Sequence, residues 1–149
     1  MPNINFKDHF SKQASEYHLY RPHYPPGLFK YLFTLTTRHE IAWDCATGNG
    51  QAALGIAPYF RQVIATDASK KQITQAMPHQ KVTYQIAPAE RTDIASATVE
   101  LVTVAQALHW FDFEEFYAEV RRVLRPEGVL AIWHYNRAAI SPEIDAIVR

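Results

Sequence analysis

The chain has 149 residues, 48% hydrophobic and 20% charged, and its fifteen basic and fifteen acidic side chains leave a formal net charge of zero. That length suits one domain, and the composition excludes a disordered, collagen-like or coiled-coil chain. The neutral balance demotes nucleic acid as a partner, since proteins held mainly by phosphates carry a basic surplus, and the single cysteine, Cys45, excludes an intrachain disulfide or a cysteine-based zinc cluster.

The first residues, Met1-Pro-Asn-Ile-Asn-Phe, lack the basic start and apolar run of a signal peptide. No stretch approaches the ~18 apolar residues of a membrane span. A lone cysteine suits a reducing compartment, so the expected location is the cytoplasm. Residues 1–40 are rich in aromatics and broken by Pro22, Pro25 and Pro26. Phe6 and Phe10, four apart, and Tyr17 and Tyr20, three apart, suit helical faces. Proline then interrupts, and Gly27 to Thr36 resumes as a short amphipathic helix on Leu28, Leu32 and Leu35. These forty residues read as a helical collar or lid before a domain at 41–149.

From Ile41 the pattern changes. Ile41-Ala-Trp-Asp-Cys45 reads as a buried strand running into the turn-rich Ala46-Thr-Gly-Asn-Gly50. Gln51 to Ala57 is a short helix ended near Pro58. Val63 to Thr66 is a second strand, closed by Asp67. Ser69, with Gln72 three residues on, is a capping-box start; Ile73 and Met77 share a face before Pro78. Lys81 to Ile86 alternates, with Val82, Tyr84 and Ile86 on one side, as a third strand. Val99 to Ala105 is a fourth. Asp112 and Glu115 open a helix whose apolar face is Phe113, Phe116, Tyr117, Val120, Val123 and Leu124. Its charges, Glu114, Glu115 and Glu119 with Arg121, Arg122 and Arg125, read as a solvated face. Pro126-Glu-Gly128 is the turn into a fifth strand, Val129 to Trp133. Ser141 and Pro142 then mark a new helix start.

Strands alternating with helices predict an α/β fold with a doubly wound, mostly parallel sheet. A fifth strand so near the end exposes a sheet edge, so the chain is expected to be a fragment of something longer or to pair as a homodimer through that edge.

Chemistry is concentrated in Asp44-Cys-Ala-Thr-Gly48-Asn-Gly50, between a strand and a helix. Glycines there permit a sharp turn and close approach of a ligand to the backbone. Ligands of open parallel sheets bind beyond the strand carboxyl ends. Asp67, at the end of the next strand, suits the two hydroxyls of a ribose. Gly48-Asn-Gly50-Gln-Ala-Ala53 also fits a dinucleotide pattern with alanine in third place, which keeps an NAD(P)-dependent oxidoreductase open. Asp44 argues the other way, since a carboxylate near the loop repels pyrophosphate and suits a cation. Both aspartates also fit a plain role as helix caps. The seven histidines show no metal spacing, so no metal is expected.

Taken together these segments resemble class I S-adenosylmethionine-dependent methyltransferases of the small-molecule, trans-aconitate-type branch. Asp44-x-Ala-x-Gly48-x-Gly50 resembles the first motif, with Ala46 where the usual pattern has glycine. Asp67-Ala-Ser resembles the acidic second motif, and Ala87-Pro-Ala-Glu90 the loop after the third strand. Val99 to Asp112, Arg122 to Leu130 and Tyr20-Arg-Pro-His-Tyr-Pro25 resemble the fourth-strand motif, the helix-to-fifth-strand junction and the N-terminal collar. The resemblance implies a Rossmann-like fold, of which two final strands lie outside this sequence. It implies S-adenosylmethionine as cofactor, S-adenosylhomocysteine as product and a small-molecule methyl acceptor.

It also implies roles. The backbone of Ala46, Thr47, Gly48, Asn49 and Gly50 wraps the methionine and ribose portions. Asp44 faces the cofactor amino group, directly or through water. Asp67 binds the ribose hydroxyls and Ala68 flanks the adenine, with Ala89 and Glu90 at the adenine edge. Gln106 serves the methionine end, and Arg21 or Tyr20 closes over the carboxylate. His109, just past the fourth strand, is a candidate proton acceptor, or a loop-orienting histidine. Trp110 is a candidate pocket wall. Cys45 reads as buried and inert. A non-catalytic, cofactor-binding remnant is the remaining alternative.

Overall fold

The apolar runs become strands β1 (Ile41–Cys45), β2 (Gln62–Asp67), β3 (Val82–Ile86), β4 (Val99–Ala105) and β5 (Leu124–Trp133) in a computed structural model that describes residues 24–134. They pair side by side in the order β3-β2-β1-β4-β5, every pair parallel. The chain steps outward from β1 to β3, returns to the other side of β1, and steps outward again. The reversal lies between β1 and β4, the place where open parallel sheets bind ligands. This is the expected doubly wound sheet. Among the described residues no helix is long and apolar enough to cross a membrane.

Each face of the sheet carries its own apolar layer. Helices α1 (Pro26–Thr34) and α2 (Gln51–Ile56) set Phe29, Leu32, Ala53 and Ile56 against Val63, Ala65 and Leu101. The helices approach closely because Gly55 has no Cβ; one there would strike the Phe29 ring. On the opposite face α4 (Phe113–Val123) sets Phe116, Val120 and Val123 against Trp43, Val102 and Val104. Strands buried on both sides account for the largely apolar runs of β1 and β4, into which Asp44, Glu100 and Thr103 intrude as buried polar groups.

Element ends differ from the sequence reading in instructive ways. α1 stops at Thr34, and α2 passes into a 3₁₀ turn, Ala57–Tyr59. α3 (Lys70–Gln75) has the expected cap, with Ser69 Oγ accepting from Gln72 N, but ends before Met77, which is exposed. α4 has its expected cap from Asp112 Oδ1 to Glu115 N at 3.1 Å. Its apolar face is narrower than predicted, since Phe113 is exposed and Leu124 already belongs to β5. No separate turn precedes β5. Val99 pairs with Leu124 and Leu101 with Val129, so Pro126, Glu127 and Gly128 bulge out of a continuous strand.

The charged face of α4 is not simply solvated. Glu119 is buried; it accepts from Arg122 Nε at 2.7 Å and from Thr92 N at 2.6 Å. Arg122 also reaches Ser96 Oγ at 3.1 Å. The pair thereby ties α4 to the irregular segment before β4. Glu100, also buried, accepts from Ile41 N at 2.8 Å and stands 3.4 Å from Arg125 Nε.

Candidate cofactor site

The loop after β1 is bent three times into the left-handed region, at Ala46 (φ 53°), Gly48 (φ 59°) and Gly50 (φ 93°). Glycine adopts this region freely and alanine does not. The resembling motif has glycine at the place of Ala46, and the backbone here explains why. Gly50 has a second reason: a Cβ there would collide with the Tyr84 side chain. Tyr84 rises from β3, and its hydroxyl donates to Met77 O at 2.6 Å.

Two aspartates hold the loop. Asp67 accepts from Gly48 N at 2.9 Å through one oxygen and from Ser69 N at 2.8 Å through the other. It therefore couples the end of β2 to the loop and to the start of α3. Asp44 lies beneath, 1% exposed. One of its oxygens accepts from Thr47 Oγ1 at 2.6 Å, the other from Thr103 Oγ1 at 2.7 Å. Burial pushes its carboxyl up to about 6, against the lowering effect of both hydroxyls. Both oxygens of Asp44 turn to threonine hydroxyls in the interior, so the side chain sits beneath the loop. Thr103 is the register partner of Asp44 across β1 and β4. As the one hydroxyl in an apolar strand it was a readable signal that sequence reasoning missed.

Above the carboxyl ends of β1, β2 and β4 lies a cavity of about 420 Å³. Ala46, Asp67, Ala68, Ala89, Glu90 and Trp110 are among its walls, so five of the candidate cofactor residues and the candidate pocket wall meet there. Two carboxylates and no cation line it among the described residues. Glu90 is partly committed, accepting from Asp112 N at 3.0 Å at the head of α4. Trp110, 79% exposed, stands on the rim in the 3₁₀ turn Leu108–Trp110. His109 belongs to the same turn; its side chain lies outside what is described.

Other predicted residues are placed apart. Thr47 is buried under the loop, donating its amide to Thr66 O at 2.8 Å. Asn49 lines a different, apolar cavity between α1 and α2. Gln106 leaves β4 at φ 64° and is exposed; its side chain donates to Tyr24 Oη at 3.2 Å. Tyr24, not singled out from the sequence, thus joins the chain ahead of α1 to the end of β4. Tyr20 and Arg21 lie outside the described residues. Cys45 is buried, and burial pushes its thiol well above the ordinary value, in keeping with an inert cysteine. Among the described residues no cluster of metal-ligating side chains occurs.

The acid-lined cavity fits a cationic nucleoside better than a pyrophosphate. A family model described as a methyltransferase domain matches residues 43–132. The chain belongs to the S-adenosylmethionine-dependent methyltransferase family. A Dictyostelium discoideum protein named for an inferred methyltransferase activity is 38% identical over 144 residues, covering 96% of this chain and 55% of that protein. The solved structure of an inferred type II methyltransferase from Anaeromyxobacter dehalogenans is 46% identical, with a TM-score of 0.79 over 87% of this chain and 55% of that one. A geranyl diphosphate methyltransferase solved with S-adenosylmethionine shares the fold at 16% identity, with a TM-score of 0.64 over 83% of this chain and 57% of that one. The methyltransferase chain described here spans about half the length of the curated relatives it matches. Family membership decides between the cofactors left open by the glycine spacing, against the dinucleotide.

Proposed function

We propose that this chain holds S-adenosylmethionine across the carboxyl ends of β1, β2 and β4 and directs its methyl group to a small-molecule acceptor. The observation that carries the reading is the cavity walled by Asp67 and Glu90, with no cation among the described residues. Such a wall suits a ligand with an ammonium, a sulfonium and no phosphate.

The residues then divide the work. Asp67 spends one lone pair on Gly48 N and one on Ser69 N, and offers the remaining pairs to the ribose hydroxyls. Ala68 and Ala89 bracket the adenine, and Glu90 meets its edge. The backbone from Ala46 to Gly50 follows the ribose and methionine. Asp44, through Thr47 and Thr103, keeps that loop in its bent form. Gln106, with Tyr20 and Arg21 from the N-terminal collar, serves the methionine end. His109 takes a proton from the acceptor where one must leave. The bound cofactor supplies an already activated methyl group, so the protein's share is alignment and exclusion of water. A neutral chain favours a small acceptor over nucleic acid. β5, at one edge of the sheet, is the strand through which two copies would pair, and sedimentation measures that directly.

Calorimetric titration with S-adenosylhomocysteine and with NAD tests the cofactor assignment. Saturable binding of the first and none of the second is expected. Binding of NAD in preference would overturn it.

A further inference from the structure

The amino-terminal end of the sheet, opposite the cofactor cavity, carries a second polar cleft of about 550 Å³. It runs beneath the starts of β1, β2, β3 and β5. Arg38, Arg61, Lys81 and Arg125 contribute cations to its wall, and among the described residues Glu40 is the one acid lining it. In a chain of zero net charge this is a marked local surplus.

Two of these four cations face carboxylates, Arg61 on Glu40 and Arg125 on Glu100, and among the described residues two do not. The Arg61–Glu40 contact is 3.5 Å long between exposed side chains, an arrangement that contributes little. Among the described residues, Arg38 and Lys81 have no carboxylate within ion-pair distance. Arg125 is different: its Nε faces the buried Glu100, so the guanidinium is anchored from behind while it lines the cleft. Gln62, Gln80 and Thr83 add neutral hydrogen-bonding groups. Guanidinium forks recognise phosphate and carboxylate oxygens in pairs, and a lysine adds a point charge. The volume matches sites that hold small molecules. The strand-start amides nearby are already used, Arg61 N on His39 O and Gln62 N on Glu40 O, both at 2.9 Å, so recognition falls to side chains.

We infer that this cleft binds a small oligoanion, a molecule with two or more phosphate or carboxylate groups, independently of the cofactor site. The position at the opposite end of the strands means that such a ligand neither contacts nor competes for the residues around Asp67. The shared chemistry admits a polyphosphate or a polycarboxylate, and inorganic tripolyphosphate and citrate separate them.

The 149-residue chain is titrated calorimetrically with each anion at low ionic strength, beside the variants Lys81→Gln and Arg61→Gln and the control Lys70→Gln. Lys70 is exposed at the start of α3 and does not line the cleft. Saturable binding of at least one anion is expected, weakened about tenfold by each cleft variant, as fits the loss of one charge-assisted hydrogen bond. The control should bind as wild type, and thermal unfolding of all three variants should match the parent. Stronger binding of tripolyphosphate assigns a phosphate ligand, and stronger binding of citrate a carboxylate one. No binding of either anion, or equal weakening by Lys70→Gln, would overturn the inference.

Discussion

The two ends of the sheet are built on opposite terms. At the carboxyl end, Asp44 is buried with two hydroxyls and the Ala53 backbone for partners and no cation among the described residues, and its carboxyl is pushed up to about 6. Ala46 and Gln106 sit there in the left-handed region, as Ala97 and Glu127 do near the starts of β4 and β5, and each such residue costs energy. At the amino end, Glu119 is also buried, but a guanidinium and a threonine close on it and hold it down at about 2. The carboxyl end buries a carboxylate away from any described cation and encloses the cofactor cavity; on its α4 side the amino end holds its buried carboxylate with a guanidinium. The difference teaches how each end neutralises a buried acid, and where that burial stabilises the fold or strains it.

Breaking the amino end should give the largest effect. Arg122→Ala leaves Glu119 buried with only Thr92 for a partner. We expect a loss of about 2–3 kcal/mol in urea unfolding at neutral pH, because removing one member of a buried pair strands the other. Cofactor affinity measured on the folded fraction should not change. Acid should act the same way in wild type. Glu119 ionises at about 2 when folded and near its ordinary 4.5 when unfolded. Its stabilisation is full above pH 4.5 and is lost as pH falls toward 2.

Asp44 should show the opposite sign. Its folded value lies above the ordinary 3.8. Between about pH 4 and pH 6 the folded chain keeps a proton that the unfolded chain has released, so stability falls as pH rises through that window. Asp44→Asn should flatten this slope, which is worth about 2 kcal/mol across the window. Chemical denaturation at several pH values measures it; an unchanged slope would mean that another group is responsible.

The smallest change expected is a gain. Ala46→Gly relieves a positive φ at the mouth of the site, and about 1 kcal/mol of added stability should appear as a higher melting temperature. A loss would mean that the unfolded-state freedom of glycine outweighs the strain.

Much of this arrangement was legible in the sequence. The order of strands and helices along the chain and the Asp112 and Ser69 caps follow from local patterns, because turns and caps are read from neighbours in sequence; the meeting of Ala46, Asp67, Ala68, Ala89 and Glu90 around one cavity was implied by the family resemblance. What was hidden depends on distant partners. Glu119 and Arg122 look like solvated helix charges until Thr92, 27 residues before Glu119, folds over them. Nothing local shows that Asp44 takes a hydroxyl from Thr103, 59 residues away. The Pro126–Gly128 segment looks like a turn, because nothing local shows that β5 already pairs with β4 at Leu124.

The most direct test compares S-adenosylhomocysteine binding by Asp67→Ala and by Arg122→Ala with binding by the parent chain. The expected result is a loss of tenfold or more for Asp67→Ala, which gives up charge-assisted bonds to the ligand, and parent-like binding by the folded Arg122→Ala. Parent-like binding by Asp67→Ala would contradict the assignment of the carboxyl end as the cofactor site.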